Sequence, residues 1–344
     1  MLKDSVAFCP VFVVYDIGFP SCNNVFLPYQ HQKVKAMKNK LISNGLWFDN
    51  NAEEAARFYT SVFPQSEIGD IVRYGKEGFE IHQRPEGSVM VIEFSLSGEK
   101  FVAINGGPLF TFNPSISYFV VCETTEETDR TWNKLSEGGN VLMPYQKYDW
   151  SEKYGWVSDK FGLSWQVSYG KISDVGQKIT PSLLFVGEQA GRAQEALDFY
   201  TSVFKNSAIQ GVAKQPAGGQ EPEGNVAHAQ FTLEGQTFMI MESVLKEHKF
   251  QFNEAISIII NCESQKEIDY YWNALIADGG MESNCGWLKD KFGVSWQVDS
   301  VELGRMLKDR DKEKVGRVTN AFLQMKKFDV AKLREAFENS VAVH

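Results

Sequence analysis

GWVSDKFGLSWQV, residues 155–167, returns as GWLKDKFGVSWQV at residues 286–298. Ten of the thirteen positions are identical, which is too many for two unrelated turns that each lead into a strand. Working outward, FYTSVF occurs at Phe58–Phe63 and again at Phe199–Phe204. Phe112-Asn113, Cys122-Glu123 and Trp132-Asn133 return at an offset of 140 as Phe252-Asn253, Cys262-Glu263 and Trp272-Asn273. Self-similarity at a fixed spacing over this length means that a whole folding unit is duplicated. The offset falls by ten between the Gly-Gly pairs (Gly138-Gly139, Gly279-Gly280) and the Gly-Trp motifs, so copy one carries an extra loop, Asn140 to Tyr154. A loop of that size beside a cleft serves as a lid or as a plain surface insertion.

Each copy reads as two similar halves. Ile42 to Phe48 is strand-like, and Asn50 or Asn51 is placed to cap a helix from Ala52 whose Ala55, Phe58, Tyr59 and Val62 form an apolar stripe ended by Pro64. Strand patterns follow at Ile68–Tyr74, Val89–Leu96 and Phe101–Asn105, with a Ser97-Gly98 turn, which completes a βαβββ unit. A second unit opens at Ile116–Glu123. Thr124 with Glu127 forms a capping box before the helix of Trp132 and Leu135, and Ser264 with Glu267 repeats it in copy two. The domain boundaries predicted are residues 37–171 and 177–300, after an atypical N-terminal extension (1–36) and before a C-terminal helical extension (301–344) read as two short amphipathic helices.

At 344 residues the chain can bury a core in each copy, and its net charge of −9 opposes binding to nucleic acid. No apolar run is long enough to span a bilayer. The five cysteines, Cys9, Cys22, Cys122, Cys262 and Cys285, show no paired spacing, which fits reduced thiols in a cytoplasmic setting. Cys122 and Cys262 read as small buried hydrophobes, and only Cys285 is a candidate for a cleft wall. Val11–Tyr15 has a signal-like character, but Pro10 and Asp4 interrupt the pattern and no small-residue cleavage site follows, so secretion is not expected. A start at Met37, with the preceding segment an upstream extension, is one explanation, and the choice between Met1 and Met37 stays open.

The stretch LWFDNNAEEAARFYTSVFPQSEI from Leu46, NGGP at Asn105–Pro108, FNPSIS at Phe112–Ser117 and both Gly-Trp motifs resemble the PhnB-like branch of the vicinal oxygen chelate (VOC, glyoxalase/bleomycin-resistance/dihydroxybiphenyl dioxygenase) superfamily, some members of which carry a 3-demethylubiquinone-9 3-methyltransferase label. The resemblance implies an α+β fold of two tandem glyoxalase-like domains, each of paired βαβββ modules with a curved mixed sheet around a cleft. It also implies two-fold pairing of the copies as an intrachain pseudo-dimer, with further homodimerisation left open. Metal-binding relatives hold a divalent ion in that cleft through His, Gln and Glu. Carried over by pattern, the ligand positions fall at or near Asn44 and Pro181 on the opening strands, near Ile116 and Ile256, and at Gln166 and Gln297. That set offers no usual metal site. His82 and His228 are the only histidines on strand-like segments, and they do not match one another.

No nucleophile elbow, phosphate loop or H-E-x-x-H motif is present, so the catalytic residues are unknown and whether the chain is an enzyme is undecided. Acid pairs such as Glu53-Glu54 and Glu126-Glu127 sit in first helical turns, where the helix dipole accounts for them. The candidate ligand-binding residues are Trp47, Asn105, Trp156, Gln166, Glu242, Trp287 and Gln297, with Tyr145, Trp150 and Tyr154 on the extra loop. Aromatic walls with a few polar groups suit a small aromatic or amphipathic molecule bound without a cofactor. The alternative class is a lyase, isomerase or dioxygenase-like enzyme with a divalent metal on Glu242, Asn105 and Gln297. A methyltransferase is disfavoured because no glycine-rich nucleotide loop follows a strand.

Overall fold

A computed structural model describes residues 40–338. The readings of residues 1–36, of Cys9 and Cys22 and of Met37 as a start lie outside the described residues. The first unit of copy one is β1 (Ile42–Phe48), α1 (Ala52–Val62), β2 (Glu67–Arg73), α2 (Phe79–His82), β3 (Val89–Leu96) and β4 (Glu99–Asn105). Its second unit is β5 (Ile116–Cys122), α3 (Thr125–Ser136), β6 (Asn140–Tyr148), β7 (Ser151–Ser158) and β8 (Ser164–Tyr169). The linker helix α4 (Ile172–Val175) leads to copy two: β9 (Ile179–Phe185), α5 (Ala193–Val203), β10 (Ala208–Lys214), β11 (Val226–Leu233) and β12 (Gln236–Glu242), then β13 (Ile256–Cys262), α6 (Gln265–Leu275), β14 (Met281–Glu282), β15 (Trp287–Lys289) and β16 (Ser295–Ser300). Among the described residues three helices follow, not two: α7 (Val301–Met306), α8 (Lys312–Phe322) and α9 (Val330–Glu338).

The sixteen strands form two mixed eight-stranded sheets, ordered β14-β15-β16-β13-β1-β4-β3-β2 and β10-β11-β12-β9-β5-β8-β7-β6. Each sheet therefore takes four strands from each copy, joined by the antiparallel pairs β1–β13 and β5–β9. The first is called sheet A and the second sheet B. In this sense the two copies form an intrachain pseudo-dimer.

Strand neighbours alternate between faces, so the core residues fix which face is which. Ile42, Leu46 and Phe48 of β1, Ile256, Ile258 and Ile260 of β13, and Trp296 and Val298 of β16 join one contiguous core with Ala55, Tyr59, Ile268 and Trp272 of α1 and α6. The intervening residues Ser43, Gly45, Trp47, Ser257, Ile259 and Gln297 face away from the helices. The same rule in sheet B turns Ser117, Phe119, Gln166, Thr180, Ser182 and Leu184 to the free face.

The repeated motifs meet in the core. Asp159 Oδ2 accepts from Tyr59 OH and from Trp165 Nε1, both at 2.8 Å, and its Oδ1 accepts the Phe161 and Leu163 amides. Asp290 repeats this with Tyr200, Trp296, Phe292 and Val294. Burial raises the carboxyl above its ordinary range in both copies, to about 6 for Asp290, against the four donated hydrogen bonds. The FYTSVF tyrosine and the closing motif recur together because this buried knot needs both.

Capping follows the sequence at Thr124 and Ser264, which accept the Glu127 and Glu267 amides. It departs from it at α1, where Asn51 makes no side-chain cap. The Ala52 amide donates instead to Asn105 Oδ1, fifty-three residues away. The extra stretch in copy one is also not a loop. Asn140–Tyr154 is β6 and the start of β7, a long hairpin in which Tyr145 stacks on Trp132. Cys122 and Cys262 are buried, and burial raises both thiols.

Candidate functional site

The free face of sheet B carries a neutral polar floor. Gln166 Nε2 donates to Ser117 Oγ at 2.8 Å, and Gln166 Oε1 accepts from Tyr154 OH at 2.7 Å. Across the β5–β9 seam Ser182 lies opposite Ser117, and Thr180 lies opposite Phe119. The Thr180 and Ser182 hydroxyls are buried and have no hydrogen-bond partner among the described residues. One wall is the apolar group Leu184, Val186 and Met241 with Trp156 and Phe250. At the other end Val121 and Met239 pack with Phe119 against Ile172 and Val175 of the linker helix, which covers that end. Tyr148 and Trp150, at the tip of the long hairpin, stand over Tyr154. His228 lies on the same face of β11, and burial lowers its pKa to about 4, so its imidazole is neutral.

Sheet A repeats the floor with less room. Gln297 Nε2 donates to Ser257 Oγ at 2.8 Å. Gly45 occupies the place of Ser182, and a Cβ there would collide with Ser257 Oγ. Trp47 stands where sheet B has Leu184, its indole nitrogen donating to the Gly107 carbonyl and its ring meeting Phe110 at 5.1 Å and Trp287 at 5.8 Å. The counterparts of those two rings in sheet B are Phe250 and Trp156. Trp47 thus fills the end that Leu184 leaves wider.

The structure divides the sequence-derived candidates into three groups. Trp47, Trp287 and Gln297 come together in sheet A, and Trp156 and Gln166 in sheet B. Asn105 and Glu242 occupy equivalent positions in different sheets, and both hold the start of a helix. Asn105 binds the Ala52 amide and the Val89 carbonyl; Glu242 binds the Ala193 and Val226 amides, where a carboxylate also suits the helix N-terminus. Glu242, Asn105 and Gln297 therefore do not converge on one point. The opening-strand mapping was displaced by one residue: Asn44 faces the helices and donates to the Lys100 carbonyl, Ile116 and Ile256 belong to the core, and the free-face residues are Gly45, Ser182, Ser117 and Ser257. Ser117, Thr180 and Ser182 were missed for this reason; the match of Gly-Leu-Trp-Phe at 45–48 with Ser-Leu-Leu-Phe at 182–185 was the available signal. His82 ends the short helix α2, so it is not a strand residue. A cavity of roughly 200 Å³ shares Leu184 and Val186 with that sheet B wall and is lined further by Gln251, Phe252, Met281 and Lys289; none of the seven sequence candidates lines it.

The metal that the superfamily suggests does not fit these floors. Their donors are amides and hydroxyls, with no carboxylate or unshifted imidazole. Among the described residues no group of three or more His, Cys, Asp or Glu is placed to hold a metal ion.

Two mixed sheets built from four βαβββ units, each with a floor on its free face, define a protein of the vicinal oxygen chelate class. Within that class the chain belongs to the PhnB-like family described as 3-demethylubiquinone-9 3-methyltransferase, whose model matches residues 40–168 and 177–299. Among solved structures, a PhnB protein from Bacillus cereus is 42% identical over 37% of this chain and 98% of its own, with a TM-score of 0.34. A protein from Staphylococcus aureus is 34% identical over 39% of this chain and 100% of its own, with a TM-score of 0.17. Glyoxalase I from Zea mays is 9% identical over 74% of this chain and 92% of its own, with a TM-score of 0.46. No curated protein matches.

Proposed function

We propose that this protein binds a small, uncharged, aromatic or amphipathic molecule on the free face of sheet B, without a metal. One observation carries the reading: two buried hydroxyls, Thr180 and Ser182, stand unpartnered beside the Gln166–Ser117 pair and under an apolar wall of Trp156, Leu184 and Met241. A buried polar group without a partner costs about 1–3 kcal/mol, which a ligand offering a carbonyl or hydroxyl there would relieve. The floor carries no ionised group, so a charged ligand would lose its hydration with nothing to offset it. Trp47, Trp287 and Gln297 supply a homologous, narrower floor in sheet A.

Methyl transfer is not part of this reading. Nucleotide-type methyl donors are commonly seated on a glycine-rich turn between strand and helix. The turns after β1, β5 and β13 contain no glycine, and the turn after β9, Val186–Arg192, lacks the G-x-G-x-x-G spacing. The long hairpin, the cytoplasmic setting and any homodimer remain parts of the same proposal; among the described residues no helix is long and apolar enough to cross a membrane.

The test is a titration with prodan, a neutral naphthyl ketone, followed by dye emission and tryptophan quenching. Saturable binding that weakens at least fivefold in Gln166→Leu supports the site. Non-saturable binding, or affinity unaffected by Gln166→Leu, defeats it. Elemental analysis of protein purified without chelator checks the metal-free clause, and stoichiometric Zn, Ni, Mn or Fe would overturn it.

A further inference from the structure

The C-terminal extension lies across sheet A and, among the described residues, has no counterpart over sheet B. The outer strands of sheet A are β2 and β3 on one side and β14 and β15 on the other. Lys308, just after α7, bonds Asp70 at 2.7 Å and Glu93 at 2.9 Å on the β2–β3 side. A Cβ on Gly316 would meet the Glu77 side chain, and a Cβ on Gly78 would meet Leu323, so α8 lies against the β2–β3 connection. A few residues later the chain reaches the opposite edge. The Cys285 and Gly286 amides donate to the carbonyls of Met325 and Lys326, both at 2.7 Å, and Phe328 packs on Gly286. Leu323 and Met325, two residues apart, thus touch both walls, so the sheet curls until its outer strands approach one another. The helix side of that sheet is taken by α1 and α6. The crossing therefore lies on the side that Gln297, Ser257, Trp47 and Trp287 face, before the chain turns to Gln265 and Asp269 of α6.

Sheet B reaches a comparable arrangement differently. At the place of Cys285-Gly286 stand Tyr154-Gly155, inside the long hairpin that pairs β6 with β7 over nine and eight residues. In sheet A the matching strands shrink to the two residues of β14 and the three of β15, and the tail supplies the missing backbone partner. The tail is held by backbone hydrogen bonds at one wall, by the Lys308 ion pairs at the other, and by Gln265 of α6, which bonds the Phe328 carbonyl and the Val330 amide. It is also held by Val318 and Phe328, which are buried in the core, while Phe322 and Met325 are only partly buried. The half-exposed Lys308 ion pairs contribute about 0–1 kcal/mol each, so the buried Val318 and Phe328 side chains are the stronger anchors and set the cost of displacing the tail.

We infer that the segment from Lys308 to Phe328 is the built-in occupant of the sheet A cleft, so the chain takes up one ligand, in sheet B, and exposes a second site only when the tail is displaced. This rests on the proposed ligand reading and adds its stoichiometry and control. Trp47 strengthens the asymmetry by narrowing the covered site, so the second site is the weaker of the two once opened.

The experiment uses the full chain and a triple variant, Lys308→Glu, Leu323→Asp and Met325→Asp, with two readouts. One is prodan stoichiometry. The other is alkylation of Cys285, quantified by peptide mass, because its thiol lies against the Phe322 carbonyl beneath the tail. The expected result is one equivalent of dye and slow alkylation in the wild type, then two equivalents and at least tenfold faster alkylation in the variant. Urea unfolding with an unchanged slope verifies that the variant is folded; if it is not, Lys308→Glu alone is used, with twofold or greater acceleration expected. Two equivalents in the wild type overturn the inference and leave the proposed function standing. Equal alkylation rates in the two proteins, or one equivalent of dye despite faster alkylation, also overturn it. No dye binding by either protein defeats the proposed function and the inference with it.

Discussion

The clefts of sheet A and sheet B start from the same plan and end in different states. Both have a glutamine amide on a serine hydroxyl, at Gln297–Ser257 and Gln166–Ser117, and both rest on the same buried aspartate knot. What differs is the wall and the roof: Trp47 against Leu184, a C-terminal tail against a long hairpin, Gly45 against Ser182. The duplicated motifs preserve scaffold, and the two free faces differ at the positions where the copies disagree.

The largest effect expected leaves that comparison symmetric. Replacing Asp159 or Asp290 by Ala strands a tyrosine hydroxyl, an indole and two amides in the core, at a cost of about 3–5 kcal/mol in either copy. Urea unfolding should give similar losses for both, and a loss in one copy only would show that the knots are not equivalent. His228, which has no histidine counterpart, should break the symmetry in pH. Its folded-state pKa of about 4 lies below the unfolded value near 6.5. The folded protein therefore resists a proton that the unfolded chain accepts; its stability is intact above 6.5 and is lost as pH falls toward 4, by at most about 3 kcal/mol. His228→Leu should flatten that part of the pH–stability curve, measured by thermal unfolding.

Smaller effects sharpen the comparison at the walls. Leu184→Trp, which gives sheet B the filling of sheet A, should weaken prodan at least tenfold, about 1.4 kcal/mol, with little change in melting temperature. Gln166→Leu should weaken it about fivefold to tenfold through loss of one buried hydrogen bond. Gln297→Leu, beneath the tail, should change it less than twofold. Equal effects of the two glutamines would erase the distinction between the clefts.

The legible part of the fold is local. Strands β1 and β3, the Thr124 and Ser264 caps and the buried Cys122 and Cys262 follow from alternation and short-range chemistry. The unread parts are set at a distance. Nothing near Ala52 tells that Asn105 will cap its helix, and nothing in β1 tells that its partner is β13, more than two hundred residues on. The one-residue slip put Asn44, Pro181, Ile116 and Ile256 on the helix-facing side while Gln166 and Gln297 kept the free face, because side chains on a strand alternate with a period of two. The tail was visible as helix-forming sequence, but its crossing depends on contacts with Asp70, Gly78 and Gly286 that no pattern announces.

The β1–β13 and β5–β9 seams carry a further consequence. In a symmetric pair of separate chains every substitution is written twice, once in each cleft, so a change that helps one site is imposed on the other. Here the two clefts are assembled from opposite halves of one polypeptide, and codon 47 is no longer tied to codon 184. Tethering the copies through the α4 linker leaves the two faces free to differ in sequence while the seams that hold them stay the same.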